Sequence, residues 1–286
     1  MKVKIQRIYV RVTGGLGNQI FQLLKSYKLH KETNGVIILV DRYQNDFFQS
    51  KSLSESDFRD FSLARTGFVD DETSFYCASP SALCRLIFKF RLAKIFTRDG
   101  VLRLFNNLYV DGYFIKGESF DDEVDWASSK VFEKHSISKV SGAAIHVRAG
   151  DLLRQPRNLL VTKHYYESSM EELYRRFNVN KFLVITEDIP FAKEFFSTEK
   201  SRYSFQFQSS TEIEDFLALI GSEYLITANS TFSWVAGLIG RAKHMISTEF
   251  FYKPHDKPAQ LSYEQIINFE GKVMNSNPLN GQISEN

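Results

Sequence analysis

Three times in its second half the chain runs from a short apolar stretch into a polar cluster, and this repeat constrains the fold more than any other feature. Residues 143–147 lead to Arg148 and Asp151, residues 182–185 to Thr186, Glu187 and Asp188, and residues 224–226 to Thr227, Ala228, Asn229, Ser230 and Thr231. Helical periodicities over 165–177, 190–196 and 212–220 separate them. Short apolar runs alternating with helices predict a parallel sheet, because helices on both faces bury both rows of side chains. The polar clusters then share the carboxyl edge of that sheet, where open α/β sheets bind their ligands.

The first half opens on a similar plan. Residues 8–12 predict a strand, Gly14-Gly15-Leu16-Gly17-Asn18-Gln19 a turn, residues 20–31 an amphipathic helix ending near Asn34 and Gly35, and residues 36–40 a second strand stopping at Asp41. In such a βαβ unit the backbone N–H groups at the helix start can receive phosphate or carboxylate oxygens. Residues 44–72 carry no firm periodicity and read as loops and short helices. From 79 to 105 the pattern is helical and basic, with Leu83, Ile87, Phe88, Phe90, Leu92, Ile95 and Phe96 among Arg85, Lys89, Arg91, Lys94, Arg98 and Arg103. That stretch fits a core-packing helix with a solvated basic face, or one lying on an anionic membrane surface. A strand and turn follow over 107–114, then an acidic run over 118–125, and the boundary between halves falls within 125–140. The expectation is an α/β protein of two domains, 1–135 and 136–286, with an Asn- and Ser-rich tail frayed from about residue 272.

Composition narrows the function. With 286 residues, 43% of them hydrophobic, there is apolar material for two compact domains. A net charge of +2 provides no global field for nucleic acid. Residues 1–12 have neither a signal-peptide core nor a bilayer-spanning run, which reads as cytoplasmic. Cys77 and Cys84 are too few for a disulfide framework and lack metal-ligand spacing with the six histidines, so no metal site is expected.

Among candidate functional residues Arg148 ranks first. If 143–147 is a strand, its period of two puts His146 and Arg148 on one face at the carboxyl end. Guanidinium matches phosphate oxygens and stays charged when desolvated, so it can neutralise a departing diphosphate. His146 fits a buried structural role or a substrate contact equally, and Asp151 either orients Arg148 or caps the next helix. Asn229, Ser230 and Thr231 precede the apolar run 232–239; capping uses one of them, and a second anion site at that helix start accounts for the surplus. Asp215 reads as a surface carboxylate or a nucleobase contact.

Taken together, Gly14-Gly15-Leu16-Gly17-Asn18-Gln19-Ile20-Phe21-Gln22, His146-Val147-Arg148 before Gly150-Asp151, and Asn229-Ser230-Thr231-Phe232-Ser233-Trp234 resemble glycosyltransferase family 11, the α-1,2-fucosyltransferases. Asp111-Gly112-Tyr113-Phe114 and Thr186-Glu187-Asp188-Ile189 fit the same family in order, and the resemblance runs from about residue 5 to about 250. It implies a GT-B fold, two Rossmann-type α/β domains facing a cleft, with an N-terminal acceptor-side domain and a C-terminal domain for the GDP-sugar. It also implies metal-independent, inverting transfer of fucose from GDP-β-L-fucose to the 2-hydroxyl of a terminal galactoside. The acceptor class is a lipid-linked surface-polysaccharide (O-antigen type) precursor, with the protein cytoplasmic or peripheral at the inner face of the membrane.

By that resemblance Arg148 holds the β-phosphate, and Gly15, Gly17, Asn18 and Gln19 approach the fucosyl diphosphate. Thr231 with Ser230 and Asn229 adds phosphate contacts, Asp215 binds the guanine edge, and His146 and Asp188 lie beside the donor. The family pattern usually has two adjacent arginines, and here the second is Ala149; Glu187 replaces the more usual Asp. A general base is not singled out among Asp41, Asp151, Glu187 and Asp188. Two rival readings stand beside this one. Gly15-x-Gly17 with Asp41 fits a dinucleotide-dependent oxidoreductase, although Ile20 stands where the third small residue belongs. The other rival is a non-catalytic nucleotide- or carbohydrate-binding module.

Overall fold

The computed structural model describes residues 4–41, 74–76, 81–97, 100–114, 120–148, 161–196, 202–249, 264–268 and 270–274. The chain divides into two units, Met1–His135 and Ser136–Asn286.

Unit 1 holds the strands β1 (Arg7–Val12), β2 (Val36–Asp41), β3 (Ser74–Tyr76), β4 (Val101–Leu104) and β5 (Asn107–Val110). They are ordered β3-β2-β1-β5-β4, all parallel except β4, which runs against β5. Tyr9, Ile38, Val40 and Tyr109 line one face and pack on Cys84, Ile87 and Phe88 of α2 (Ala82–Lys89). The long α1 (Leu16–Thr33) packs on β1, β2 and α4 (Asp121–Lys134). It ends at Asn34, whose left-handed φ of 56° supplies the stop.

Two expectations for unit 1 are corrected. Helix α1 begins at Leu16, so Gly17, Asn18 and Gln19 lie in its first turn rather than in the preceding loop. Gly15 is the N-cap, and Gln22 clamps the shortened turn, its amide binding both the N–H of Thr13 (3.0 Å) and its carbonyl (3.2 Å). The basic stretch from 79 to 105 is not one helix. Arg91, at φ 53°, breaks it into α2 and the short α3 (Leu92–Phe96). At Gly100 (φ 67°) the chain turns into β4; a Cβ there would sit 2.6 Å from the Asp111 carbonyl oxygen, so only glycine fits. The acidic run lies at the start of α4, whose first turn holds Asp121, Asp122 and Glu123, the favoured sign at a helix N-terminus. Residues 44–72 lie outside the described residues.

Unit 2 carries β6 (Ala143–Val147), β7 (Lys181–Thr186), β8 (Ser204–Gln208), β9 (Tyr224–Ile226), β10 (His244–Ser247) and β11 (Glu264–Ile266). All pairings are parallel, in the order β11-β10-β9-β6-β7-β8. Counted from β6 this is the doubly wound Rossmann order, with its switch point between β6 and β9. Ala143, Ile145 and Val147 of β6 face α5 (Lys163–Phe177) and α6 (Ile189–Phe196), where Tyr165, Tyr166, Met170 and Ala192 fill the core. The opposite face meets α7 (Glu212–Ile220) and α8 (Thr231–Ile239), as the ring contact of His146 with Phe232 marks. Each fully buried aliphatic or aromatic side chain in such a layer contributes about 1.5–3 kcal/mol.

Strands β8, β10 and β11 are not among the three apolar runs read from the sequence. Helix α7 starts on a capping box in which Thr211 and Glu214 bond each other's backbone N–H. The expected fraying from residue 272 is corrected in part. Lys272 accepts from Asn268 N–H (2.9 Å) and Met274 donates to Ile266 (2.9 Å), so residues 270–274 fold back on β11; residues 275–286 lie outside the described residues.

Candidate functional site

Strands β6 and β9 are hydrogen-bonded neighbours, so the loops leaving their carboxyl ends emerge side by side at the switch point of unit 2. From β6 come His146 and Arg148; from β9 come Thr227, Asn229 and Ser230, followed by Thr231 at the start of α8. His146 is buried, its ring 5.5 Å from that of Phe232, and the hydroxyl of Tyr166 donates to its backbone carbonyl at 3.0 Å. Burial, reinforced by the charge of Arg148, pushes the imidazole pKa down to about 3, so the ring is neutral at physiological pH. Tyr165 reaches from α5 to donate to the carbonyls of Thr227 (2.7 Å) and Ile246 (3.2 Å), fixing the end of β9 against β10.

This edge contains buried polar atoms without partners among the described residues: His146 Nδ1, Thr227 Oγ1 and Ser233 Oγ. Such atoms are rare in folded proteins and each requires an explanation. Ser230 Oγ is the N-cap of α8 and accepts from the N–H of Phe232 at 3.3 Å, while Asn229 and Thr231 are buried beside it.

The remaining unit 2 candidates sit farther along the edge. Asp188 follows β7 and caps α6, accepting from the N–H of Phe191 at 3.0 Å. Asp215, in the first turn of α7, accepts from Gln208 Nε2 (2.8 Å) and the N–H of Ser210 (3.3 Å), and burial raises its carboxyl pKa. A groove of about 770 Å³ runs from Ser141 and Lys181 along β8 to Gln208 and Ser210. It flanks Asp215, but His146, Arg148 and residues 229–231 do not line it. Asp151, Ala149 and Gly150 lie outside the described residues, as does the side chain of Asp41.

In unit 1 the corresponding switch point lies between β1 and β5. Gly15 caps α1 without a side chain, and Gly17, Asn18 and Gln19 form its first turn; Gln19 Nε2 donates to the Gly14 carbonyl at 2.9 Å. Gly14 has φ 85°, and a Cβ there would come within 2.8 Å of Asn18 Nδ2. From β5 comes Asp111, buried and ion-paired with Arg11 (3.4 Å) and Arg91 (3.6 Å). Lys94 lies 5.5 Å from the ring of Tyr113, and its pKa is lowered mainly by burial.

Sequence reasoning gave no role to Gln22, Tyr165, Tyr166 and Ser233, which brace or complete these edges. Gln22 and Ser233 stand within the quoted motifs, whereas Tyr165 and Tyr166 left no signal beyond the periodicity of their helix. A second buried polar group, Glu264 of β11, accepts from the Trp234 indole at 2.9 Å and from Ser247, holding α8 to the sheet. Among the described residues there is no cluster of three or more His, Cys, Asp or Glu side chains able to hold a metal, and no helix long and apolar enough to cross a membrane.

Comparison with known proteins adds to this geometry. Residues 132–252, which span β6 to β10 and both loops of the unit 2 switch point, match the model of glycosyl transferase family 11. An α-1,2-colitosyltransferase of Escherichia coli is 25% identical over 252 residues, covering 79% of this chain and 85% of the relative. The E. coli heptosyltransferase WaaC with ADP has the same fold, with a TM-score of 0.51 at 9% identity over 96% of this chain and 98% of that one. Fucosyltransferase NodZ from Bradyrhizobium aligns over 96% of this chain and 100% of its own, with a TM-score of 0.48 at 13% identity. The architecture is GT-B, two Rossmann-type α/β units, and the similarity to glycosyl transferase family 11 lies in residues 132–252.

Proposed function

We propose that the protein transfers L-fucose from GDP-β-L-fucose to the 2-hydroxyl of a terminal galactoside, with inversion and without a metal. The acceptor class is a lipid-linked surface-polysaccharide precursor met at the inner face of the membrane. The observation that supports this reading most is the pairing of Arg148 and neutral His146, at the end of β6, with the buried hydroxyls and helix start that follow β9. A diphosphate seated there meets one permanent cation, a helix N-terminus and neutral dipoles.

In the reaction the bond between the sugar C1 and the β-phosphate oxygen breaks and its electron pair leaves with GDP. The acceptor oxygen bonds to C1 from the opposite face and gives up its proton to a base. Arg148 stabilises the charge gathering on the diphosphate, with Ser230 and Thr231 at the start of α8 adding contacts. His146, kept neutral, offers a hydrogen bond without repelling Arg148. Asp151 is a candidate to orient Arg148, and with Asp41, Glu187 and Asp188 it is one of four candidates to accept the proton. Gly15, Gly17, Asn18 and Gln19 present the acceptor-side turn, Asp188 lies beside the donor, and Asp215 contacts guanine with the lone pairs that Gln208 and Ser210 leave open.

A second reading, colitosyl transfer, is favoured by the E. coli relative. Mass spectrometry of reactions with GDP-fucose or a nucleotide-activated colitose, over a panel of β-galactosides, separates the two by the mass of the added sugar. Wild type is run beside Arg148→Ala. A deoxyhexose adduct lost in the variant supports fucosyl transfer; a lighter dideoxyhexose adduct supports the second reading; GDP binding without any adduct overturns both in favour of a binding module.

A further inference from the structure

Helix α2 carries two apolar stripes where a surface helix ordinarily carries one. Cys84, Ile87 and Phe88 face the sheet and are fully buried. On the outer side Leu86 is 49% exposed and Phe90 53%, and α3, packed against α2, adds Ile95 at 66% and Phe96 at 71%. Between residues 81 and 97 there are four Lys or Arg residues, Arg85, Lys89, Arg91 and Lys94, and no Asp or Glu. Clustered exposed apolar side chains mark an interaction surface, and a cationic setting selects an anionic partner.

We infer that the α2–α3 face of unit 1 docks on an anionic lipid surface. Charge complementarity decides between occupants: with Arg91 paired to Asp111, two copies of this face would still set Arg85 and Lys89 against their counterparts, whereas anionic headgroups neutralise them while Leu86, Phe90, Ile95 and Phe96 enter the interface. The position is informative. Arg91 and Lys94, at the join of the two helices, reach the Asp111 and Tyr113 loop, and a Cβ on Gly14 would lie 3.3 Å from the Tyr113 ring. A bilayer held at this face lies beside the glycine turn of the same unit, where a lipid-linked acceptor would be presented. The inference takes up the membrane placement of the proposed function, and its test reads binding rather than turnover, so the two fail separately.

Cosedimentation of the full chain with phosphatidylcholine vesicles, with and without phosphatidylglycerol, tests it. Binding to the anionic vesicles is expected, weaker by at least about tenfold for the pair Leu86→Ser and Phe90→Ser. It is also expected to weaken for the pair Arg85→Gln and Lys89→Gln, which leaves the apolar contacts intact, and to fall with added salt. Phe132→Ser, an exposed apolar residue on α4, is expected to bind as wild type does. Thermal unfolding followed by circular dichroism checks that each variant folds. No binding by wild type, or undiminished binding by both folded double variants, overturns the inference. A wild-type dimer that becomes a monomer in the Leu86 and Phe90 variant, without vesicle binding, assigns the face to a second copy.

Discussion

The two carboxyl edges differ in how their polar groups are held. In unit 2 the part of the edge at the β6–β9 switch point holds neutral, buried groups beside Arg148: His146 with its pKa near 3, and the hydroxyls of Thr227 and Ser233 without partners among the described residues. In unit 1 the edge is charged and largely paired with itself, Arg11 and Arg91 sharing the buried Asp111 carboxylate. Preorganised neutral dipoles can receive an anion without first stripping a counter-ion from it, whereas an internal ion cluster is used up in holding its loops. The comparison fits the proposal that the anion is received at the unit 2 edge, whereas the unit 1 edge holds a self-paired ion cluster.

The largest effect that could break this comparison is at Arg148. Arg148→Ala is expected to lower kcat by about 10²–10³-fold, the loss typical of one transition-state donor, and to weaken GDP binding measured by calorimetry. Unchanged turnover and GDP affinity would move the anion site elsewhere. Next comes the acid response of His146. Its folded pKa lies below the unfolded value, so below about pH 6.5 the unfolded chain binds the extra proton; stability is full above that pH and falls as pH drops toward 3. Between pH 7.5 and 4.5 wild type should lose about 2–3 kcal/mol from this group. His244, also lowered by burial, acts with the same sign, so the measurement is the difference in unfolding free energy between wild type and His146→Gln. An identical acid response in both would show that His146 is not kept neutral by the fold.

A smaller effect tests the unit 1 side. Asp111→Asn should cost about 2 kcal/mol of stability, below the figure for a fully buried pair because Arg91 is half exposed, and leave GDP affinity unchanged. A drop in GDP affinity would mean that the ion cluster, too, belongs to the donor site. The smallest expected change sharpens the contrast within one turn. Gly14→Ala should cost about 1–2 kcal/mol, since φ 85° and the contact with Asn18 both oppose a side chain. Gly15→Ala, with φ −71° and open space around it, should stay within about 0.5 kcal/mol in chemical denaturation.

Much of this could be read from the residues in order. Strands β6, β7 and β9 and the helices between them followed from apolar runs and periodicity, because a parallel strand buried on both faces must be apolar nearly throughout. The polar residues after each run then had to fall on one edge. Other elements left weaker traces. Strand β8 alternates Phe205 and Phe207 with Ser204, Gln206 and Gln208, an edge-strand pattern that reads as polar loop. The break at Arg91 depends on a left-handed residue that carries no glycine signal, and the start of α1 at Leu16 depends on Gln22 bonding Thr13 across the turn.

The order of residues alone determined that two α/β units form, that Arg148 ends a buried strand, and that Asn229, Ser230 and Thr231 precede a helix, since local periodicity and capping chemistry suffice for each. Only the tertiary structure decided which of these meet. The pairing of β6 with β9, 81 residues apart from Ala143 to Tyr224, sets His146 and Arg148 beside the start of α8. It also made His146 neutral, because that state depends on the number of side chains that exclude water from the ring and on the charge of Arg148 nearby. Exposure of Leu86, Phe90, Ile95 and Phe96 was likewise settled in three dimensions: the sheet has one surface for α2, and it was filled by Cys84, Ile87 and Phe88.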